Sequence, residues 1–168
     1  MFEIVVDFEG FNYGSKVYPK EIAFATVDTL QIFNCFIDLS EESWQALPTA
    51  VQKAFRWKSE NIHQLGWATA PSGNIKLDHI SIILGNYSQS YTLYAVDEAK
   101  AAYLTSLSGV PVIDISAQAP TFKIPLALEG NHCGYTGHRG PPGNNACAVR
   151  RAYTAAKQLK SLRQSFCQ

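Results

Sequence analysis

Acidic residues are missing from the end of this chain. From Gly130 to Gln168 there is no Asp or Glu, while Arg139, Arg150, Arg151, Lys157, Lys160 and Arg163 all fall there. A chain of zero net charge is therefore split into a +6 tail and a −6 remainder. That absence excludes any site needing a carboxylate from the last segment. It leaves two readings of the tail: a solvated helix face, or a surface for an anionic ligand, of which nucleic acid is the commonest.

Long apolar runs are also missing, which excludes a spanning helix. The opening "FEIVVDFEG" lacks the basic start and extended apolar core of a secretory signal. The expectation is one soluble domain over residues 1–168, intracellular (cytoplasmic or nuclear), with no membrane partner. Cysteine is too sparse, at four residues, for a disulfide framework. Cys35 sits in an alternating apolar run and reads as a buried thiol. Cys167 lies at the chain end, so Cys133 and Cys147 are the pair that needs a reason.

The patterning predicts strands over 2–9, 21–28 and 30–38, with a loop over 11–20 where Gly14 and Pro19 break the run, and a hairpin at Asp28-Thr29. A helix is expected from Ser40 to about Ala54, a loop over 59–73, and a helix over 75–87 ending at Gly85. Then follow a strand (90–96), a helix with an acidic first turn (97–107) and a strand (109–116). From Cys147, residues Ala152, Ala155, Ala156, Leu159, Leu162 and Phe166 form the stripe of an amphipathic helix. A meander followed by alternating helices and strands gives a mixed sheet with helices packed on it.

Three constellations could carry chemistry. Asp7 and Glu9 of "DFEG" alternate along one strand and so share a face. They read either as oxygen ligands for Mg²⁺ or Mn²⁺, or as two acids at a strand end facing water or a cation. Cys133, His138 and Cys147 are of the types that zinc prefers, with Cys147 opening a helix; a free-thiol loop is the alternative, and His132 is a second candidate histidine. His63 and Trp67 of "HQLGW" suit a stacking or catalytic loop, or a tryptophan lid on the core.

Taken together, "VDFEG…YPKEIAFATVD", "HQLGW", "VIDI" and "CGYTGH…ACAVRRAYT" resemble the Maelstrom domain of the animal piRNA pathway. They are also similar to zinc-containing members of the DEDDh 3′–5′ exonuclease superfamily, including the arenavirus nucleoprotein exonuclease. The resemblance implies an RNase H-like α/β fold: a mixed sheet flanked by helices, with a structural zinc held by Glu21, Cys133, His138 and Cys147. It also implies where the catalytic set would fall. Asp7 and Glu9 match the first pair of acids, but Lys100 stands at the third, Ala146 at the general-base histidine, and Arg150 and Arg151 at the last. Two basic residues near two surviving carboxylates suit a salt bridge better than a two-metal centre.

The resulting expectation is a zinc-stabilised, catalytically degenerate exonuclease-like module. It would bind single-stranded RNA or DNA, RNA favoured, or scaffold protein partners in small-RNA or mobile-element biology. Arg139, Arg150, Arg151, Lys157 and Lys160 would be the phosphate contacts. The rivals are a working nuclease holding Mg²⁺ or Mn²⁺ on Asp7 and Glu9 with Asp97 or Asp78, and a pure protein-interaction module.

Overall fold

The computed structural model describes residues 2–67, 75–119, 122–123 and 147–165. It is an α/β structure with one five-stranded mixed sheet. The strands are β1 (Phe2–Tyr13), β2 (Lys16–Thr26), β3 (Ile32–Phe36), β4 (Tyr91–Ala95) and β5 (Val112–Asp114), in the order β3-β2-β1-β4-β5. β1, β2 and β3 are antiparallel neighbours, whereas β4 and β5 run parallel to β1.

The first hairpin is longer than the sequence pattern predicts. The expected loop over 11–20 is strand almost throughout, turned at Gly14 and Ser15, where Gly14 has φ of +58° and no Cβ to resist it. Pro19 is tolerated inside β2 because the register shifts there: Glu9 pairs with Glu21 and Gly10 with Pro19. On its other side β3 pairs only with residues 21–25. Gly10 is required at this bulge, since a Cβ there would lie 2.2 Å from the Tyr18 carbonyl oxygen.

The helices are α1 (Glu41–Gln45), α2 (Thr49–Lys58), α3 (Leu77–Ser88), α4 (Glu98–Ser108), α5 (Ile115–Gln118) and α6 (Ala148–Ser165), with a wide π-type turn over Ser59–His63. The single helix expected from Ser40 is broken. Ser40 does cap α1, accepting from the Ser43 N–H, but Pro48 cannot donate within a helix and instead starts α2. α3 runs through Gly85 rather than ending there. β5 is three residues long because Asp114 caps α5 through the Ser116 N–H.

The two faces of the sheet bury separate cores. Ile4, Val6 and Phe8 of β1 meet α2, α3 and α4 on one side. Val5, Ala23 and Ala25 meet α6 on the other, where Ala148, Ala152, Ala155, Ala156 and Leu159 form the contact stripe. Alanines on both surfaces let α6 lie close to the sheet, which decides what its polar residues can reach. The expected stripe is present through Leu159 and the half-buried Leu162, while Phe166 lies outside the described residues. Among the described residues no helix is long and apolar enough to cross a membrane.

Candidate functional site

β1 is longer than its parallel neighbour. Pairing with β4 ends at Val6↔Ala95, so Asp7 and the residues after it project beyond the carboxyl end of β4, where α4 begins. A crevice outside the carboxyl ends of parallel strands is where α/β domains commonly place their sites. Asp7 shares a face with Val5, toward α6, and is fully buried.

Both oxygens of Asp7 are held by cations. Oδ2 accepts from Arg151 Nε at 2.6 Å, and Oδ1 from Lys100 Nζ at 2.5 Å. Arg151 extends its fork to Glu9 Oε2 at 3.0 Å, and Lys58 stands 3.6 Å from Glu9 Oε1. The Phe8 carbonyl between the two acids accepts from Arg151 Nη2 at 2.9 Å and from Lys100 Nζ at 3.0 Å. Burial by itself pushes the Glu9 carboxyl up. Arg151, Lys58, the Gly10 N–H and Lys100 outweigh that and hold it below the ordinary range. Burial likewise opposes the charge on Arg151, but Asp7 and Glu9 raise its pKa further above the usual guanidinium value.

Arg151, 8% exposed, is not on the surface, so it is not available as the phosphate contact expected from the sequence. It lies within the apolar stripe of α6, three residues after Ala148 and four before Ala155. A charged residue in a buried helical stripe signals an internal ion pair, and that signal separates Arg151 from its neighbour. Arg150 is half-buried and Lys157 exposed. Lys160 donates to the Asp28 carbonyl at 2.6 Å, and Arg163 pairs with Glu3 at 2.9 Å. Arg139 lies outside the described residues.

The acids named for the nuclease rival are elsewhere engaged or exposed. Asp97 caps α4 by accepting the Lys100 N–H at 2.8 Å, and Asp78 is exposed in the first turn of α3. "HQLGW" belongs to the core: Trp67 donates Nε1–H to the Ser40 carbonyl at 3.1 Å and lies near-parallel to Phe55, ring centroids 5.8 Å apart. His63 is fully buried edge-on to Phe11, its Nδ1 accepting the Leu65 N–H. Sequence reasoning missed Lys58, which crosses from α2 to the Gly10 carbonyl at 2.6 Å. It also missed Lys20, fully buried and donating to the carbonyls of Ile37 and Trp67 at 2.9 and 2.8 Å.

Of the four zinc ligands that the resemblance implies, Glu21 and Cys147 are described; Cys133 and His138, with the alternative His132, lie outside the described residues. Glu21 is fully buried in β2, and its Oε2 accepts the Ala148 N–H at 3.0 Å, at the positive end of the α6 dipole. Cys147, also buried, is the residue just before Ala148. Residues separated by most of the chain are thus brought together at the start of α6. Among the described residues no three His, Cys, Asp or Glu side chains are grouped to hold a metal ion. No protein-family model matches this chain, and no curated protein matches its sequence.

Proposed function

We propose that this chain is a catalytically silent exonuclease-like module of RNase H-like fold, stapled by zinc, that binds single-stranded nucleic acid, RNA favoured, or scaffolds partners in small-RNA or mobile-element biology. One observation carries the loss of catalysis: Lys100 and Arg151 occupy both oxygens of Asp7, and Arg151 also holds Glu9. A divalent cation needs those oxygens, and it would have to enter beside fixed positive charges. The residues therefore do not fit a catalytic Mg²⁺ or Mn²⁺.

A zinc site fits what the described residues offer. The buried Glu21 carboxylate reaches the Ala148 N–H at a helix start that the buried Cys147 immediately precedes, a place that favours anionic ligands. Glu21 and Cys147 would supply two positions, and Cys133 and His138 the others. The metal would act as a staple between α6 and the β1–β2 hairpin, and α6 is the helix that carries Arg151.

For the binding role, the support is the basic composition of residues 130–168, which contain no acid of their own, with Arg139, Arg150 and Lys157 as the candidate phosphate contacts. The internal engagement of Arg151, Lys160 and Arg163 favours a short contact or a scaffold over a long phosphate track. The test is incubation with single-stranded RNA and DNA in Mg²⁺ or Mn²⁺, reading degradation and retention together. We expect retention that falls with salt and no shortening of either strand. Stepwise 3′ shortening abolished by Asp7→Ala would establish the nuclease rival instead. Neither shortening nor retention at low salt would leave the scaffold role.

A further inference from the structure

The ion-paired centre opens on one side into a cleft of about 220 Å³, whose lining includes Phe8, Glu9, Asn12, Lys58, Lys100 and Tyr103. Its charge is balanced rather than acidic as a metal site's would be: Asp7, Glu9 and the rim residue Asp97 bring three negative charges, and Lys58, Lys100 and Arg151 bring three positive ones. The rim carboxylate of Asp97 is turned back onto its own helix. Arg151 is directed inward, leaving Lys58 and Lys100, with side chains 26% and 20% exposed, as the cations that reach the cleft.

Neither ammonium is used up by the protein. Lys100 gives two protons, to Asp7 and to the Phe8 carbonyl, out of the three an ammonium carries. Lys58 has one close contact, to the Gly10 carbonyl at 2.6 Å; Asn12 Oδ1 at 3.4 Å and Glu9 at 3.6 Å are looser. The ring of Phe8 lies 5.2 Å from the Lys100 ammonium and 5.2 Å from the Tyr103 ring. Those aromatic walls lower the local dielectric and strengthen the field of the two lysines.

We propose that this cleft binds a phosphomonoester dianion, the terminal phosphate of a nucleotide or of a nucleic-acid end, between Lys58 and Lys100, with Phe8 and Tyr103 as the apolar wall for the attached sugar or base. Two compact ammonium charges match a dianion better than the single charge of a backbone diester. The inference rests on the reading above, that protein cations hold Asp7 and Glu9.

The experiment is calorimetric titration of the full chain, in EDTA and again in Mg²⁺. The probes are single-stranded RNA decamers phosphorylated at the 5′ end, at the 3′ end or at neither, together with inorganic phosphate. We expect one phosphorylated decamer to bind at least about tenfold tighter than the unphosphorylated one in EDTA, and Lys58→Met to remove most of that difference. Lys58→Arg should keep it, and the melting temperature of each variant separates lost binding from lost folding. Inorganic phosphate binding as well as the decamer would assign the ligand to free phosphate, within the same chemistry. Equal affinity for all three decamers would overturn the inference and leave the silent-centre reading intact. Binding that requires Mg²⁺ would overturn that reading as well.

Discussion

At the scale of single residues, Arg151 is the side chain on which the site depends. It is buried and serves two carboxylates and a carbonyl at once. Removing one member of such a network leaves an uncompensated buried charge, at a cost of about 3–5 kcal/mol. Arg151→Met should lower the unfolding free energy by that amount in urea denaturation; a loss below about 1 kcal/mol would mean that Lys100 alone suffices for Asp7. The sequence made a basic partner legible, because Arg150 and Arg151 stand where the resemblance calls for an acid. Which of the two turns inward depends on helical phase, and the alanine stripe already carried that phase. Lys20 was not legible: it ends the segment expected to be a loop, where a lysine reads as solvated, and only its place in β2 across from the bulge at Gly10 makes it internal.

Lys20 also gives a pH test with a definite sign. Burial lowers its pKa from 10.5 to about 8, against the opposing pull of Asp38. Between those values the unfolded chain keeps a proton that the folded chain has released, so stability rises with pH, by at most about 1.4 kcal/mol per pH unit. Denaturation of wild type and Lys20→Met at pH 8 and 10 should show the wild type gaining relative to the variant. Burial raises the Cys35 thiol to about 11 and the Tyr103 phenol to about 12; both are common to the two proteins and cancel. Parallel pH dependences would contradict the lowered pKa of the buried Lys20 ammonium.

At the scale of elements, α6 joins the two proposed roles of the molecule. Its first residues meet Glu21, its second turn carries Arg151, and its alanine face rests on β1 and β2. The helix itself was legible from apolar periodicity. The hairpin of β1 and β2 was legible only in part, because Pro19 and Gly14 read as breakers when one sits at a bulge and the other in a two-residue turn. If zinc staples α6 to that hairpin, purified protein should carry about one equivalent of zinc, consistent with a closed structural site. Cys147→Ser should lose the metal in elemental analysis and melt at a lower temperature. Metal-free wild type whose melting point Cys147→Ser leaves unchanged would remove the staple from the account.

At the scale of the whole molecule, the order of elements was readable and the charge balance of the site was readable in part. Meander, helices, two further strands and a final helix follow from hydrophobic period and turn residues, and three antiparallel strands continued by two parallel ones bring Asp7 to the open end of β4. Lys58, Lys100 and Arg151 come from three separate helices; the resemblance put Lys100 and an arginine beside Asp7 and Glu9, and packing alone adds Lys58. On the proposed reading, these cations stand where a nuclease would hold its metals. Mn²⁺ titration of the chain and of Asp7→Asn at neutral pH, followed by electron paramagnetic resonance, tests this. The account predicts superimposable titrations, since Asp7 offers no free oxygen. A Mn²⁺ site present in the wild type and lost in Asp7→Asn would contradict it.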